Sequence, residues 1–134
     1  MVQIIFVSHG SFSEAICKSA ELILGPQEDI QYFGLFPTDN PDELREKIRT
    51  GIESAQKNGE VLVLTDMFSG TPFNVTASLM GDYPFQHLSG VNFAAFIEIL
   101  AQRDAMTAKE LIEQVFTLMP KMVVDAREHF KDMF

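Results

Sequence analysis

A chain of 134 residues with 46% hydrophobic content can bury one core and is too short for two ordinary domains, so a single domain over residues 1–134 is expected. Its net charge of -9, from ten basic and nineteen acidic residues, opposes binding to nucleic acid and anionic lipid and favours a basic protein partner. No apolar run approaches a membrane span, Met1 leads into an apolar strand pattern without a secretory signal, and the single cysteine has no internal disulfide partner; together these predict a cytoplasmic protein.

The first element is a strand, Ile4 to Val7, whose unbroken apolar run is that of a strand buried on both faces. It stops at Ser8-His9-Gly10, where Gly10 permits a tight turn. Ser11 or Ser13 is expected to cap a helix carrying Ala15, Ile16, Ala20, Ile23 and Leu24, with Cys17 as a small buried residue in it. Gly25-Pro26 then turns the chain into a second strand, Ile30 to Phe36. Asn40 as cap, Pro41 at the first helical position and acidic Asp42 and Glu43 start a second helix, in which Leu44, Ile48, Ile52 and Ala55 recur at helical spacing up to Gly59. Its charged face reads as solvated surface.

Val61 to Leu64 is a third buried strand, and it too ends in polar residues, Thr65 and Asp66. The loop from Asp66 to Asn74 should lead into a third helix, with Thr71 as cap and Pro72 in the first turn. Phe85 to Leu88 reads as a short fourth strand, and Val91 to Leu100 as a helix apolar on nearly every side. A lone chain is expected to leave Phe93, Phe96 or Ile97 of that helix exposed, which predicts a homodimer. Thr107 to Glu110 forms a capping box for a further helix bearing Leu111, Ile112, Val115, Phe116 and Met119, which Pro120 should kink or end. The tail from Lys121 to Phe134 is ambiguous between helix and strand.

Alternation of strand and helix predicts an α/β fold, a doubly wound, mainly parallel sheet with helices on both faces and strand order 2-1-3-4. In that order the first and third strands are neighbours and the winding reverses between them. Their C-terminal ends then open on one crevice, which receives His9 and Asp66. Two helix N-termini face the same crevice, and backbone N–H groups around Ser69, Gly70 and Thr71, with Gly10 beside His9, suit the oxygens of a phosphoryl group. His87 falls inside the fourth strand, where a packing role is expected, and His129 falls near the terminus, at the surface.

Other chemistries lack their residues. The three histidines and one cysteine have no metal-ligand spacing, no G-x-S-x-G turn is present, and neither a Walker loop nor G-x-G-x-x-G occurs, so no metal or cofactor is expected. One histidine, one carboxylate and two helix N-termini suit a phosphohistidine, in which one ring nitrogen bonds phosphorus and the other donates to Asp66.

Val7-Ser8-His9-Gly10, Leu64-Thr65-Asp66 with Ser69-Gly70-Thr71-Pro72-Phe73-Asn74, and Ser89-Gly90-Val91-Asn92, in that order and at these separations, resemble the enzyme IIA domain of the mannose-type (mannose/fructose/sorbose) sugar phosphotransferase system. The resemblance covers nearly the whole chain, and its most specific parts are S-G-T-P-F-N and G-V-N. It implies that His9 is phosphorylated, that Asp66 is its hydrogen-bond partner and that Thr71 lies near the phosphoryl group. It further implies a donor, the phosphocarrier HPr, and an acceptor histidine on the IIB component, which serves the IIC and IID membrane subunits. A dimer whose subunits exchange a C-terminal strand is also implied. Two alternatives stand beside this reading: the similar phosphocarrier subunit of dihydroxyacetone kinase, which S-G-T-P-F-N opposes, and a non-catalytic regulatory module binding a partner or small anion.

Overall fold

The computed structural model describes residues 1–134. In chain order it contains β1 (Gln3–His9), α1 (Phe12–Leu24), β2 (Ile30–Leu35), α2 (Pro41–Ala55), β3 (Val61–Thr65), α3 (Thr71–Ser78), β4 (Gln86–Ser89), α4 (Phe93–Gln102) and α5 (Ala108–Leu118), then a 3₁₀ turn (Met119–Lys121) and a short α6 (Ala126–His129). The sheet has the expected order β2-β1-β3-β4, and every neighbouring pair is parallel.

Side-chain alternation along the central strands divides the core in two. Ile4, Phe6, Leu62, Leu64 and Leu88 face α1, α4 and α5, where they meet Ile16, Ala20, Phe96, Ile99 and Leu111. Ile5, Val7, Val61 and Val63 face α2 and α3, where they meet Leu44, Ile48, Ile52, Val75 and Leu79. Burial on both faces is why these strands read as unbroken apolar runs. Helix starts follow local chemistry: Asn40 accepts from the Asp42 N–H at 2.8 Å, Asn92 accepts from the Ala95 N–H at 2.9 Å, and Thr107 and Glu110 form a reciprocal capping box.

Three expectations need correction, one of them in part. The fourth strand lies one residue later than expected, Gln86–Ser89, because its pairing with β3 runs from Leu62–Gln86 to Thr65–Ser89, and Phe85 is buried in the α2/α3 side of the core just before it. Helix α4 does not leave its apolar faces bare: Phe96 is fully buried with its ring 5.4 Å from that of Phe6, and Ile97 packs on the core. Of the three residues at issue Phe93 is exposed, as expected of at least one of them, while Phe96 and Ile97 are covered within the chain. The tail carries no strand for exchange. Pro120 ends α5 in a 3₁₀ turn, and Asp125 caps α6 by accepting from the Glu128 N–H at 3.1 Å. Val123, Val124, Met133 and Phe134 are left exposed there.

Candidate functional site at the ends of β1 and β3

His9 is the last residue of β1 and Asp66 the first beyond β3. Because Val7 pairs with Thr65 in parallel register, the chain leaves the sheet at both residues side by side. Asp66 Oδ2 lies 2.8 Å from His9 Nδ1 and also accepts the His9 backbone N–H at 2.9 Å, while Oδ1 accepts the Met67 N–H at 3.1 Å. An ionised carboxylate only accepts, so Nδ1 carries the proton and the Nε2 lone pair is free. The Asp66 side chain is 13% exposed and that of His9 is 48% exposed, an arrangement that holds the ring from one side and opens it to solvent on the other.

Nε2 faces the loop that starts α3. A methyl group placed on Gly70 would lie 3.4 Å from Nε2 and 3.3 Å from Cε1, so the ring sits against a backbone without a side chain. Gly70 has φ +93° and occupies the cap position of α3; Thr71, the expected cap, is instead the first helical residue, with Pro72 next. The first intrahelical partner of α3 is the Asn74 N–H, which bonds to Gly70 O, so the amides before it stand free at the positive end of the helix. Ser69 adopts φ +69°, a conformation uncommon for a residue with a Cβ, and this turns the chain into the loop.

Around Gly10 the strand end is locked by contacts that the sequence reading missed. Ser11 stands at the cap position of α1 without a side-chain hydrogen bond; the Ser8 hydroxyl, from inside β1, accepts the Ser13 N–H at 2.8 Å in its place. Ser13, also buried, donates its hydroxyl to Phe33 O at 3.0 Å. Ser11 is exposed and its backbone is not extended, which is why it fails as a cap. A polar residue at a fully buried strand end was the available signal. Gly10, expected beside the phosphoryl oxygens, donates its N–H to Leu35 O at 2.7 Å and so has no free amide for them, and its carbonyl occupies the place of a side chain on β2: a Cβ on Gly34 would lie 2.1 Å from Gly10 O.

The other histidines lie apart from this pair. His87 packs, as expected: it is half-buried, its Nε2 is 2.9 Å from Thr65 Oγ1, its ring is 5.0 Å from that of Phe73, and burial pushes its pKa down to about 4. His129 is exposed beside Phe130. Cys17 is buried in α1, and burial raises its thiol pKa to about 12. No three His, Cys, Asp or Glu side chains are grouped to hold a metal ion. Phe12, Phe36, Met67 and Phe68 are exposed, and all follow strand ends on the edge of the sheet that carries His9.

A family profile described as "PTS system fructose IIA component" (EIIA-man) matches residues 3–116. The chain belongs to this mannose-type EIIA family. A fructose-specific EIIA component of Bacillus subtilis is 27% identical over 98% of this chain and 90% of its own length. The mannose-specific EIIAB component of Escherichia coli K12 is 31% identical over 77% of this chain, which spans only 32% of that longer protein. Among solved structures, a phosphotransferase system EIIA component from Streptococcus agalactiae superposes with a TM-score of 0.86 at 31% identity, covering 96% of this chain and 99% of its own. A mannose/sorbose IIA subunit from Enterococcus faecalis superposes with a TM-score of 0.79 at 28% identity, covering 91% and 92% respectively. As an EIIA protein the chain is a phosphocarrier component of a sugar phosphotransferase system, and no helix of it is long and apolar enough to cross a membrane.

Proposed function

We propose that His9 carries the phosphoryl group, on Nε2, between phosphorylated HPr and a histidine of the IIB component. The observation that carries this reading is the 2.8 Å bond between His9 Nδ1 and Asp66 Oδ2, which leaves Nε2 unprotonated and turned to the Gly70 loop. The Nε2 lone pair attacks phosphorus as the phosphorus–nitrogen bond of the donor phosphohistidine breaks, and the donor nitrogen keeps that electron pair. Charge that builds on the His9 ring is balanced by Asp66, which already holds the Nδ1 proton. The phosphoryl oxygens are received by the backbone N–H groups of Ser69, Gly70 and Thr71, with Gly10 leaving room at the strand end. Delivery to IIB is the same step reversed with a new nitrogen.

Both partners dock on the edge of the sheet that carries His9, where Phe12, Phe36, Met67 and Phe68 offer apolar surface. The net charge of -9 favours a basic face on the donor. The whole chain acts as one domain in the cytoplasm, coupled through IIB to IIC and IID membrane subunits. It works as a homodimer, supported by the apolar side chains that α5 and the tail leave uncovered, Phe116 at 60%, Val123 at 81% and Phe134 at 89% exposure. Sedimentation at micromolar concentration checks the assembly: a monomer mass refutes it. Incubation with phosphoenolpyruvate, enzyme I and HPr tests the carrier itself. One acid-labile, base-stable phosphoryl group on His9 is expected, and label on His87 or no label overturns the reading.

A further inference from the structure

His87 is a half-buried imidazole that the transfer step does not use, yet it touches two elements that frame the site. On β4 it pairs with Val63, whose side chain faces α2 and α3, so His87 and Thr65, two residues along from Val63, project on that same face. There His87 Nε2 meets Thr65 Oγ1 at 2.9 Å, and Thr65 is fully buried and immediately precedes Asp66. The other contact is aromatic. Phe73, in the first turn of α3, lies with its ring 5.0 Å from His87 and tilted 36° to it, and Phe68, in the loop between Asp66 and Gly70, packs edge-on against Phe73 at 5.0 Å. A single residue therefore holds the end of β3 with one atom and the start of α3 with its ring face.

We propose that His87 is a positioning residue for phosphoryl transfer: bonded to Thr65 and packed against Phe73, it fixes the Gly70–Thr71 backbone relative to His9. The inference rests on the proposed role of His9. Three considerations support it. An aliphatic residue, the usual occupant of a short strand in a parallel sheet, would fill the same space but leave the buried Thr65 hydroxyl without its one side-chain partner. Burial pushes the His87 pKa down to about 4, so near neutral pH its ring is uncharged and the bond to Thr65 and the aromatic packing persist. Finally, Ser69 holds a left-handed backbone conformation in the loop that Phe68 and Phe73 flank, and a loop so bent needs outside support to keep one shape.

The decisive comparison uses wild type, Thr65→Val, His87→Phe and His87→Val in single-turnover transfer from phosphorylated HPr, with the maximal rate and the half-saturating HPr concentration measured separately. Thr65→Val removes the hydrogen bond with little change of shape, His87→Phe keeps the ring packing, and His87→Val removes both. The maximal rate should fall by about tenfold in His87→Val and by less in His87→Phe and Thr65→Val, while half-saturation stays within about twofold of wild type, because positioning acts on the reacting geometry and not on docking. The double variant Thr65→Val with His87→Phe should be no slower than the slower single one, since both remove the same bond. Folded variants that all transfer at the wild-type maximal rate, or that change half-saturation alone, overturn the inference while leaving His9 as the acceptor. If His87→Val does not fold, Thr65→Val and His87→Phe decide by the same criteria. Wild-type label mapped to a residue other than His9 overturns both readings.

Discussion

Replacing Asp66 by Asn tests the pair at the centre of the site. An amide has one acceptor oxygen where the carboxylate has two, and the structure makes both of them work. If the Asn oxygen takes the place of Oδ2, it keeps the His9 N–H and Nδ1 bonds, but its NH₂ then faces the Met67 N–H that Oδ1 accepts at 3.1 Å. If the amide is turned over, two donors of His9 meet the NH₂ and the ring is driven to the wrong tautomer. In either orientation the negative charge 2.8 Å from Nδ1 is gone when the phosphorylated ring needs it. A hydrogen bond to a charged group is worth about 1.5–3 kcal/mol, which corresponds to a loss of about 10- to 150-fold in transfer rate. Rapid-quench measurement of transfer from phosphorylated HPr reads this directly, and circular dichroism shows that the fold is kept. A folded Asp66→Asn protein transferring within about twofold of the wild-type rate would refute the role given to Asp66.

His9→Ala should abolish labelling by phosphorylated HPr and change thermal stability little, about 0.5 kcal/mol or less, because its side chain is half exposed and surface substitutions are mild. Scanning calorimetry and phosphopeptide mapping check the two halves of that statement. Gly70→Ala should lower stability by about 1–3 kcal/mol and slow transfer, since the new methyl needs φ +93° and stands 3.3 Å from His9 Cε1; a wild-type rate would show that the loop lies clear of the reacting ring. The fold should also weaken in mild acid. The folded-state pKa of His87 is about 4 against an ordinary 6.5, so as pH falls below 6.5 the unfolded chain takes up a proton that the folded one refuses, and the loss is complete once pH passes the folded value. Urea denaturation near neutrality and at about pH 5 should show a smaller drop for His87→Phe than for wild type.

The sheet order, the helices on both faces and the meeting of His9 with Asp66 were legible in the sequence because each depends on strong local patterns. Apolar runs such as Ile4 to Val7 and Val61 to Leu64 mark strands buried on both faces, Asn40-Pro41 marks the start of a winding between two strands, and Thr107 to Glu110 marks the helix that follows the last strand and α4. What failed depended on contacts between elements distant in sequence. Phe96 is covered by Phe6 of β1 and Ile97 packs on the same core, and no periodicity inside α4 announces that cover. The Ser8 hydroxyl replaces Ser11 as the partner of the α1 start because the loop turns on Gly10 before the helix begins. Arg103 was also missed: nearly fully buried, it donates to the carbonyls of Val2, Glu28 and Asp29 and to Gln27, tying α4 to the chain between α1 and β2. A charged residue at a helix end reads as surface until the carbonyls it serves are in view.

Gly34 carries a consequence for how this protein tolerates change. Its hydrogen is all that separates β2 from the Gly10 carbonyl, and any side chain there would have to drive the backbone next to His9 by about 1 Å, a displacement on the scale that costs up to about a hundredfold in rate at an oriented site. Screened for growth on a transported sugar, a library randomised at position 34 should return glycine almost alone, while Tyr32, exposed on the same strand, accepts many replacements. A mutational scan would then score a residue of a neighbouring strand, remote from any substrate atom, as though it took part in the chemistry. The freedom of β2 to vary in this protein is limited by the carbonyl of another strand's turn, a restraint set by packing rather than by chemistry.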